Sequence, residues 1–458
     1  MLTSFRARLI EPISAESLAV FRMMFGGLLL VDWFRYTFFG WIDRFFVEPV
    51  FMFKYYGFEW VQTLPEPWIH IHFALWGLTA LAVTLGLFYR IAIVAHLIIF
   101  TWLFLLDQAL YLNHFYFVIL LNIVLCLVPA HACWSIDAKR KPLAHKGFIA
   151  RWHLLAFLYL LEIFLLYAGI VKINHDWLNL QPLTMWLGIH SDWPILGELF
   201  QKTWVVAVAS YGTVILHCLG APLLLYRRTR MLAFIMYCSF HTMNHFLFQI
   251  GIFPWLTIGA TLLFFDPDWP SQFGRWLAAK FSLSLNFIKP TPTGSPFRET
   301  RAIQFTWAFL ALFLLANVLV PLRHWVYPGE VAWNEQGHRF SWRMKLRDKR
   351  GRSYFVVKDP QTNETWKVRP HHYLSHKQSH KMNISPDMIL QFAHFLAEEY
   401  RSKGVQSPEV YAHVRMSLNG RRPSLLIDPE RNLSQVTRHL GHNDWILPLK
   451  WPLRREYL

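Results

Sequence analysis

The sequence predicts an α-helical polytopic membrane bundle of about eight or nine spans, followed by a small C-terminal β-rich α+β domain. Three observations carry this. Of the 458 residues, 54% are hydrophobic and only 16% are charged, against about 25% charged in ordinary soluble domains. Apolar stretches long enough to cross a bilayer recur through the first 321 residues. Beyond Pro321 the pattern turns polar, with strand-like alternation.

The apolar stretches lie near 18–39, 68–89, 91–106, 114–130, 151–171, 204–226, 231–265 and 302–320. The 231–265 stretch is too long for one crossing and contains Gly251 and Pro254, so it is two spans or one span broken inside the bundle. The first run has no small-residue cleavage site and is long enough to stay in the membrane, which argues against a removed signal peptide. Basic residues cluster at Lys139, Arg140, Lys141, Lys146 and Arg151, and again at Arg227, Arg228 and Arg230. The positive-inside rule makes these loops and the N-terminus cytoplasmic. If 231–265 crosses twice, the chain has nine crossings and the residues after 321 lie outside, the preferred reading; if it crosses once, they lie inside. Cys126, Cys133, Cys218 and Cys238 all fall in or beside spans, so no disulfide framework supports the tail. That suits a bacterial inner membrane.

Two domains are expected: a transmembrane helical catalytic domain over 1–321 and an extramembrane β-rich domain over 322–458. A Pro/Ser/Thr-rich connector at 266–301 precedes the last span. In the tail, Arg339–Leu346 and Ser353–Lys358 alternate polar and apolar residues around an Asp348–Gly351 turn, predicting one hairpin. A second is predicted at Val410–Leu418 and Pro423–Asp428, joined by Asn419-Gly420, a pair that favours the type I′ turn. Between them Ser385-Pro386-Asp387 opens a helix with an N-cap and a proline at N1. Its buried face is Met388, Ile389, Phe392, Phe395 and Leu396. The tail holds 23 Lys/Arg against 13 Asp/Glu. Such a surface suits anionic lipid, an acidic protein substrate or solvation alone. No recognition motif for nucleic acid accompanies the charge.

Within the apolar part, polar residues are few and therefore informative. Lys172 ends a spanning run, in Tyr-Ala-Gly-Ile-Val-Lys-Ile-Asn-His-Asp-Trp (167–177). An ammonium at that depth costs at least about 2.5–3.5 kcal/mol, and desolvation lowers a lysine's pKa toward usefulness as a base. The alternative is a lysine snorkelling to the interface. Asn113 and His114 begin one span, and His241, Asn244 and His245 share nearby faces of another. Converging in a low-dielectric cavity, these groups suit proton transfer with a small organic molecule. Taken singly, each suits an interhelical hydrogen bond. No metal site is indicated: the cysteines do not cluster with histidines and His-Glu-x-x-His is absent. His372, His376 and His380, spaced by four, sit among surface-type residues.

Together the motifs resemble the vitamin K-dependent γ-glutamyl carboxylase family, within the broader group of bacterial membrane proteins that share its horizontally transferred transmembrane (HTTM) domain. The matching segments are Phe21-Arg22-x-x-Phe25-Gly26, Gly86-Leu87-x-Tyr89-Arg90, Leu106-Asp107 with Asn113-His114, and Trp134-Ser135-x-Asp137. They continue with Ala168-Gly169-x-x-Lys172-x-x-x-Asp176-Trp177, Phe240-His241-x-Met243-Asn244, Gly251-Ile252-Phe253-Pro254 and Pro267-x-Trp269-Pro270. Phe340-Ser341-Trp342-x-Met344 and Asp428-Pro429 complete the set, which spans residues 15 to 450.

The resemblance implies γ-carboxylation of glutamate in a protein or peptide substrate, using reduced vitamin K (the hydroquinone), O2 and CO2, coupled to vitamin K epoxidation and without a metal. It implies that Lys172 deprotonates the hydroquinone and that His114, beside Asn113, stabilises the oxygenated intermediate. His241 and Asn244 would line the quinone pocket, with the quinone entering from membrane lipid. One departure is His338, where vertebrate enzymes carry a tyrosine; it bears on carboxylation rather than on the fold. Two other readings remain open at this level: quinol epoxidation without carboxylation, and a non-enzymatic transporter or lipid-binding protein. The last would be favoured by inverted-repeat symmetry, and none is evident.

Overall fold

The computed structural model describes residues 2–140, 147–282 and 297–453. Lys141 and Lys146 of the basic loop and residues 283–296 of the connector lie outside the described residues. The helices of the bundle are α1 (Glu16–Phe38), α2 (Trp68–Leu85), α3 (Tyr89–Leu106), α4 (Asn113–Leu127) and α5 (Arg151–Ile170). They continue as α6 (Thr203–Leu225), α7 (Arg230–Phe248), α8 (Phe253–Thr261) and α9 (Arg301–Leu319).

Among the described residues, six helices are long and apolar enough to cross a membrane: α1, α2, α3, α5, α6 and the last, extended to Val326. Asn113–Leu127 and Phe253–Phe264 are apolar but shorter, so the eight or nine crossings expected reduce to six helices of full spanning length. The 231–265 stretch breaks between α7 and α8. Gln249 and Gly251 there take positive φ (46° and 62°), which ends one helix before Pro254 starts the next. The connector is not wholly irregular, because Trp269–Lys280 is helical with Pro270 in its first turn.

The Arg22, Gly86, Tyr89 and Trp134–Asp137 motif segments meet at one end of the bundle. Arg22, fully buried, donates from Nη2 to the Trp134 carbonyl at 2.6 Å. Asp137 accepts from the Phe88 and Tyr89 amides at 3.0 and 2.8 Å and so caps the start of α3. Gly86 ends α2 at φ 62°, and a Cβ there would lie 1.7 Å from Arg22 Nη1. These motifs therefore tie α1, α2 and α3 to the segment after α4. Asp32 and Arg35, late in α1, and Asn113, at the start of α4, lie together at another place, lining one chamber.

The C-terminal region folds on β1 (Lys349–Lys358), β2 (Thr365–Val368), β3 (Glu409–Leu418) and β4 (Ser424–Leu425), all antiparallel in the order β2-β1-β3-β4. Two helices lie with the sheet: α10 (His376–Asn383) and α11 (Pro386–Ser402). The predicted face of α11 is buried against Phe355, Val357, Val410 and Val414. The Asn419-Gly420 turn forms with both residues at positive φ (49° and 78°), closed by Arg421 N to Leu418 O at 3.0 Å.

The first predicted hairpin does not form. β1 pairs with β2 and β3 instead, and Arg339–Leu346 is irregular, with Phe340, Trp342 and Lys345 at positive φ. Its apolar residues leave the sheet for the bundle: Trp342, fully buried, packs on Tyr116, Phe117 and Phe164. Alternation reports which residues seek burial, not against what.

Candidate active site in the membrane bundle

Lys172 follows the end of α5 and its side chain turns back along the helix. It is buried, and Nζ donates to the Ala168 carbonyl at 2.6 Å while lying 5.4 Å from the centre of the Trp177 ring. The amine does not snorkel to an interface. It lines a cavity of about 80 Å³ with His217, His241, Asn244, Thr213 and a wall of aromatic rings that includes Phe164, Phe240 and Phe253.

Several sequence features build this cavity. Gly169, one turn before Lys172 in its motif, lets α5 and α6 approach closely: a Cβ there would sit 2.7 Å from Cys218 Sγ and 2.9 Å from His217 Cβ. On α6, Ser210, Thr213 and His217 recur at helical spacing. Ser210 Oγ donates to the Trp177 carbonyl at 3.0 Å, and Trp177 Nε1 donates to the Ser210 carbonyl at 3.1 Å, which fixes the loop after Lys172. His217 Nδ1 lies 2.8 Å from the Thr213 carbonyl. A carbonyl only accepts, so this bond places the proton on Nδ1 and leaves Nε2 with a free lone pair. His241, buried on α7, has no hydrogen-bond partner at either ring nitrogen among the described residues.

Asn113 and His114 line a second, larger chamber of about 510 Å³. Asn113 Oδ1 accepts from the Tyr111 hydroxyl at 3.0 Å, and that hydroxyl accepts from the Phe340 amide at 2.9 Å. Phe253 stands between the two spaces. Its ring centre lies 5.8 Å from that of His114 on one side and 5.9 Å from that of His241 on the other. The structure thus brings Lys172, His241 and Asn244 into one cavity, and Asn113 with His114 into its neighbour across one phenyl ring. Phe248, Ile250, Met344 and Lys345 also line both.

The site depends on the C-terminal region as well. Met344 and Lys345 complete the small cavity, and Glu335, His338, Arg339 and Arg343 line the chamber. His217 was missed from sequence because a histidine within a long apolar run carries little signal alone. Its register with Ser210 and Thr213 was the available clue.

Helices of spanning length, two of which (α5 and α6) wall the aromatic-lined cavity that holds Lys172, together with a basic β-containing region that completes the wall, define a polytopic membrane protein with a buried polar cluster. Residues 10–269 match the HTTM domain, and residues 302–451 match the vitamin K-dependent gamma-carboxylase lumenal domain. The chain belongs to the vitamin K-dependent γ-carboxylase family, in its HTTM-bearing form. No solved structure matches it.

Proposed function

We propose that the protein is a quinol-dependent γ-glutamyl carboxylase, with Lys172 as the base that acts on the quinol. The observation that carries this reading is the pairing of Lys172 with His241. Both are buried in one aromatic-walled cavity, and between them they leave most of their hydrogen-bonding capacity unused. Buried polar groups without partners are costly unless a ligand completes them. A flat aromatic diol fits that demand, with apolar ring faces and a hydroxyl at each end.

In this reading Nζ of Lys172 receives the hydroxyl proton, and His217 Nε2 and His241 offer the neighbouring hydrogen-bond positions. Reduced vitamin K, once bound, supplies through its reaction with O2 a base strong enough for the glutamate γ-proton, which no side chain can remove. Phe164, Phe240 and Phe253 keep water from that base. At about 80 Å³ the cavity is below the ordinary range for ligand sites, so the ring system enters with displacement of a wall residue, for which Phe253 is the natural choice. The glutamate and CO2 approach from the larger chamber, past Asn113 and His114. The division at residue 321, the cytoplasmic N-terminus and an outside C-terminal domain belong to the same proposal.

The test is carbon fixation by detergent-purified protein given reduced vitamin K, a glutamate peptide and labelled bicarbonate. Label in the peptide that is lost in Lys172→Ala supports the reading. If wild type neither fixes label nor consumes hydroquinone, the reading is wrong. His338 favours one second reading, quinol epoxidation alone, since it lines the chamber where the family's vertebrate enzymes carry a tyrosine. Epoxide without fixed carbon would select it.

A further inference from the structure

The helix Trp269–Lys280 lies at the end of the bundle where α1 begins. It has 12 residues, about 18 Å of length, which is too short to cross a bilayer. Two bonds fix its level. Ser17 N donates to the Pro267 carbonyl at 3.0 Å, and Ser271 N donates to the Glu16 carboxylate at 3.1 Å. Glu16 and Ser17 belong to the first turn of a spanning helix, and the end of a span marks the boundary between membrane and water.

Pro270, Ser271 and Gly274 are buried on the side that packs against α1. The exposed side carries Phe273 and Trp276, 52% and 54% exposed, and Phe281 just past the end is 61% exposed. The Phe273 and Trp276 rings stack with centres 5.7 Å apart, and Lys280 Nζ lies 5.1 Å from the centre of the Trp276 ring. A short helix with an aromatic stripe beside basic residues suits the headgroup level of a bilayer, lying in the plane of the membrane.

The surrounding charge selects the headgroup. The nearby carboxylates are already engaged: Glu16 with Ser271 N, Asp268 with Gln272 at 2.9 Å, and Asp266 with Arg227 and Arg230 at 3.4 and 3.5 Å. The two Asp266 contacts bring the 227–230 turn to the start of the helix. Arg228, Arg275 and Lys280, all exposed, have no carboxylate within salt-bridge distance among the described residues. Unpaired cations at this level complement an anionic lipid surface. A soluble acidic partner would answer the charge but not the aromatic stripe.

We propose that Trp269–Lys280 is an interfacial anchor that binds anionic phospholipid in the leaflet where α1 begins. Phe273, Trp276 and Phe281 enter the boundary of the acyl chains, and Arg228, Arg275 and Lys280 meet the phosphates. The anchor is independent of the carboxylase reading, and no turnover is needed to detect it.

The test titrates full-length protein in neutral detergent with phosphatidylglycerol or with phosphatidylcholine of the same acyl chains. Bound lipids are counted by native mass spectrometry, and melting temperature is followed in parallel, since a ligand of the folded state raises it. Wild type is expected to prefer phosphatidylglycerol and to gain melting temperature from it. The Arg228→Gln, Arg275→Gln, Lys280→Gln variant should lose about tenfold or more in affinity for that lipid, and with it the preference. Phe273→Ser with Trp276→Ser should weaken binding of both lipids. Arg352→Gln, Arg401→Gln and Arg422→Gln, three exposed changes in the C-terminal region, remove the same charge elsewhere and should keep the preference. If the cation variant melts low without lipid, Arg275→Gln alone carries the comparison. Equal binding of the two lipids by wild type, or an undiminished preference in the folded cation variant, overturns the proposal. Loss of preference in the C-terminal control to the same degree also overturns it, since net charge alone would then account for binding. So does displacement of phosphatidylglycerol by glycerol phosphate with normal binding by the aromatic variant, which would mark a site for free phosphate.

Discussion

Arg421 holds Asp176 through both terminal nitrogens of its guanidinium, at 2.6 and 2.7 Å, and Asn419 adds a hydrogen bond at 2.7 Å. This clasp joins the Asn-Gly turn of the sheet to the loop four residues beyond Lys172. The position of the amine therefore depends on a contact made by the C-terminal region. Burial opposes ionisation of Asp176, but the bonds from Arg421 and Asn419 outweigh it and hold its pKa below the usual value. A depressed carboxylate pKa stabilises the folded state above the unfolded value of about 3.9 and loses that contribution as pH falls through the folded pKa. The clasp is thus intact at all pH values where the protein would be assayed.

Breaking the clasp should cost stability and turnover together. Arg421→Ala strands a largely buried carboxylate, a loss of about 3–5 kcal/mol, visible as a lower melting temperature in detergent. Arg421→Lys keeps the charge but not the two-pronged geometry and should recover stability better than rate. An Arg421→Ala protein with wild-type melting and wild-type quinol consumption would contradict this account.

Lys172→Ala and Lys172→Arg separate base from charge. Both should reduce hydroquinone consumption by about 10²–10⁴-fold if Lys172 is the general base, because arginine stays protonated. Neither should lower the melting temperature much, since Lys172 makes one side-chain hydrogen bond, to a carbonyl one turn back. A Lys172→Arg protein that retains near-normal rate would assign the residue to charge stabilisation instead.

Much of the fold was legible in the sequence. The helix at Pro386–Ser402 and the Asn419-Gly420 turn were readable because local chemistry decides both: a proline at N1 with a periodic apolar face, and two residues that tolerate positive φ. The segment around Trp342 was not, because its alternation matched a strand while its burial partners, Tyr116 and Phe164, lie more than 150 residues away. Lys172, His241 and Asn244 could be named from polar residues in apolar runs. That Phe253 parts them from His114 is a matter of packing, which no periodicity encodes.

Gly169 is a steric test of the site that leaves its chemistry in place. A methyl group at Gly169 would press on His217 Cβ and Cys218 Sγ at under 3 Å. Gly169→Ala should therefore push α6 off α5, displace His217 from the cavity, and lower quinol consumption more than it lowers melting temperature. Gly212→Ala on α6, where nothing lies within 4 Å of the added atom, is the matched control. It should be silent or slightly stabilising through helix propensity.

Phe253 should act as the barrier between quinol and chamber. Its ring touches Phe164, His114 and His241, so Phe253→Ala joins the two spaces at a cost of about 3–5 kcal/mol for a buried phenylalanine. Two consequences follow in opposite directions. A bulky quinol meets less resistance on entry, so its apparent KM falls. The base formed in the cavity is now open to water from the polar chamber, so it is quenched before reaching glutamate. The ratio of epoxide formed to carbon fixed, near one when the steps are coupled, should rise several-fold in Phe253→Ala and return toward wild type in Phe253→Leu. The decisive measurement is that ratio under saturating peptide and labelled bicarbonate. A Phe253→Ala protein that keeps strict coupling would show that the two spaces are not separated by this ring during turnover.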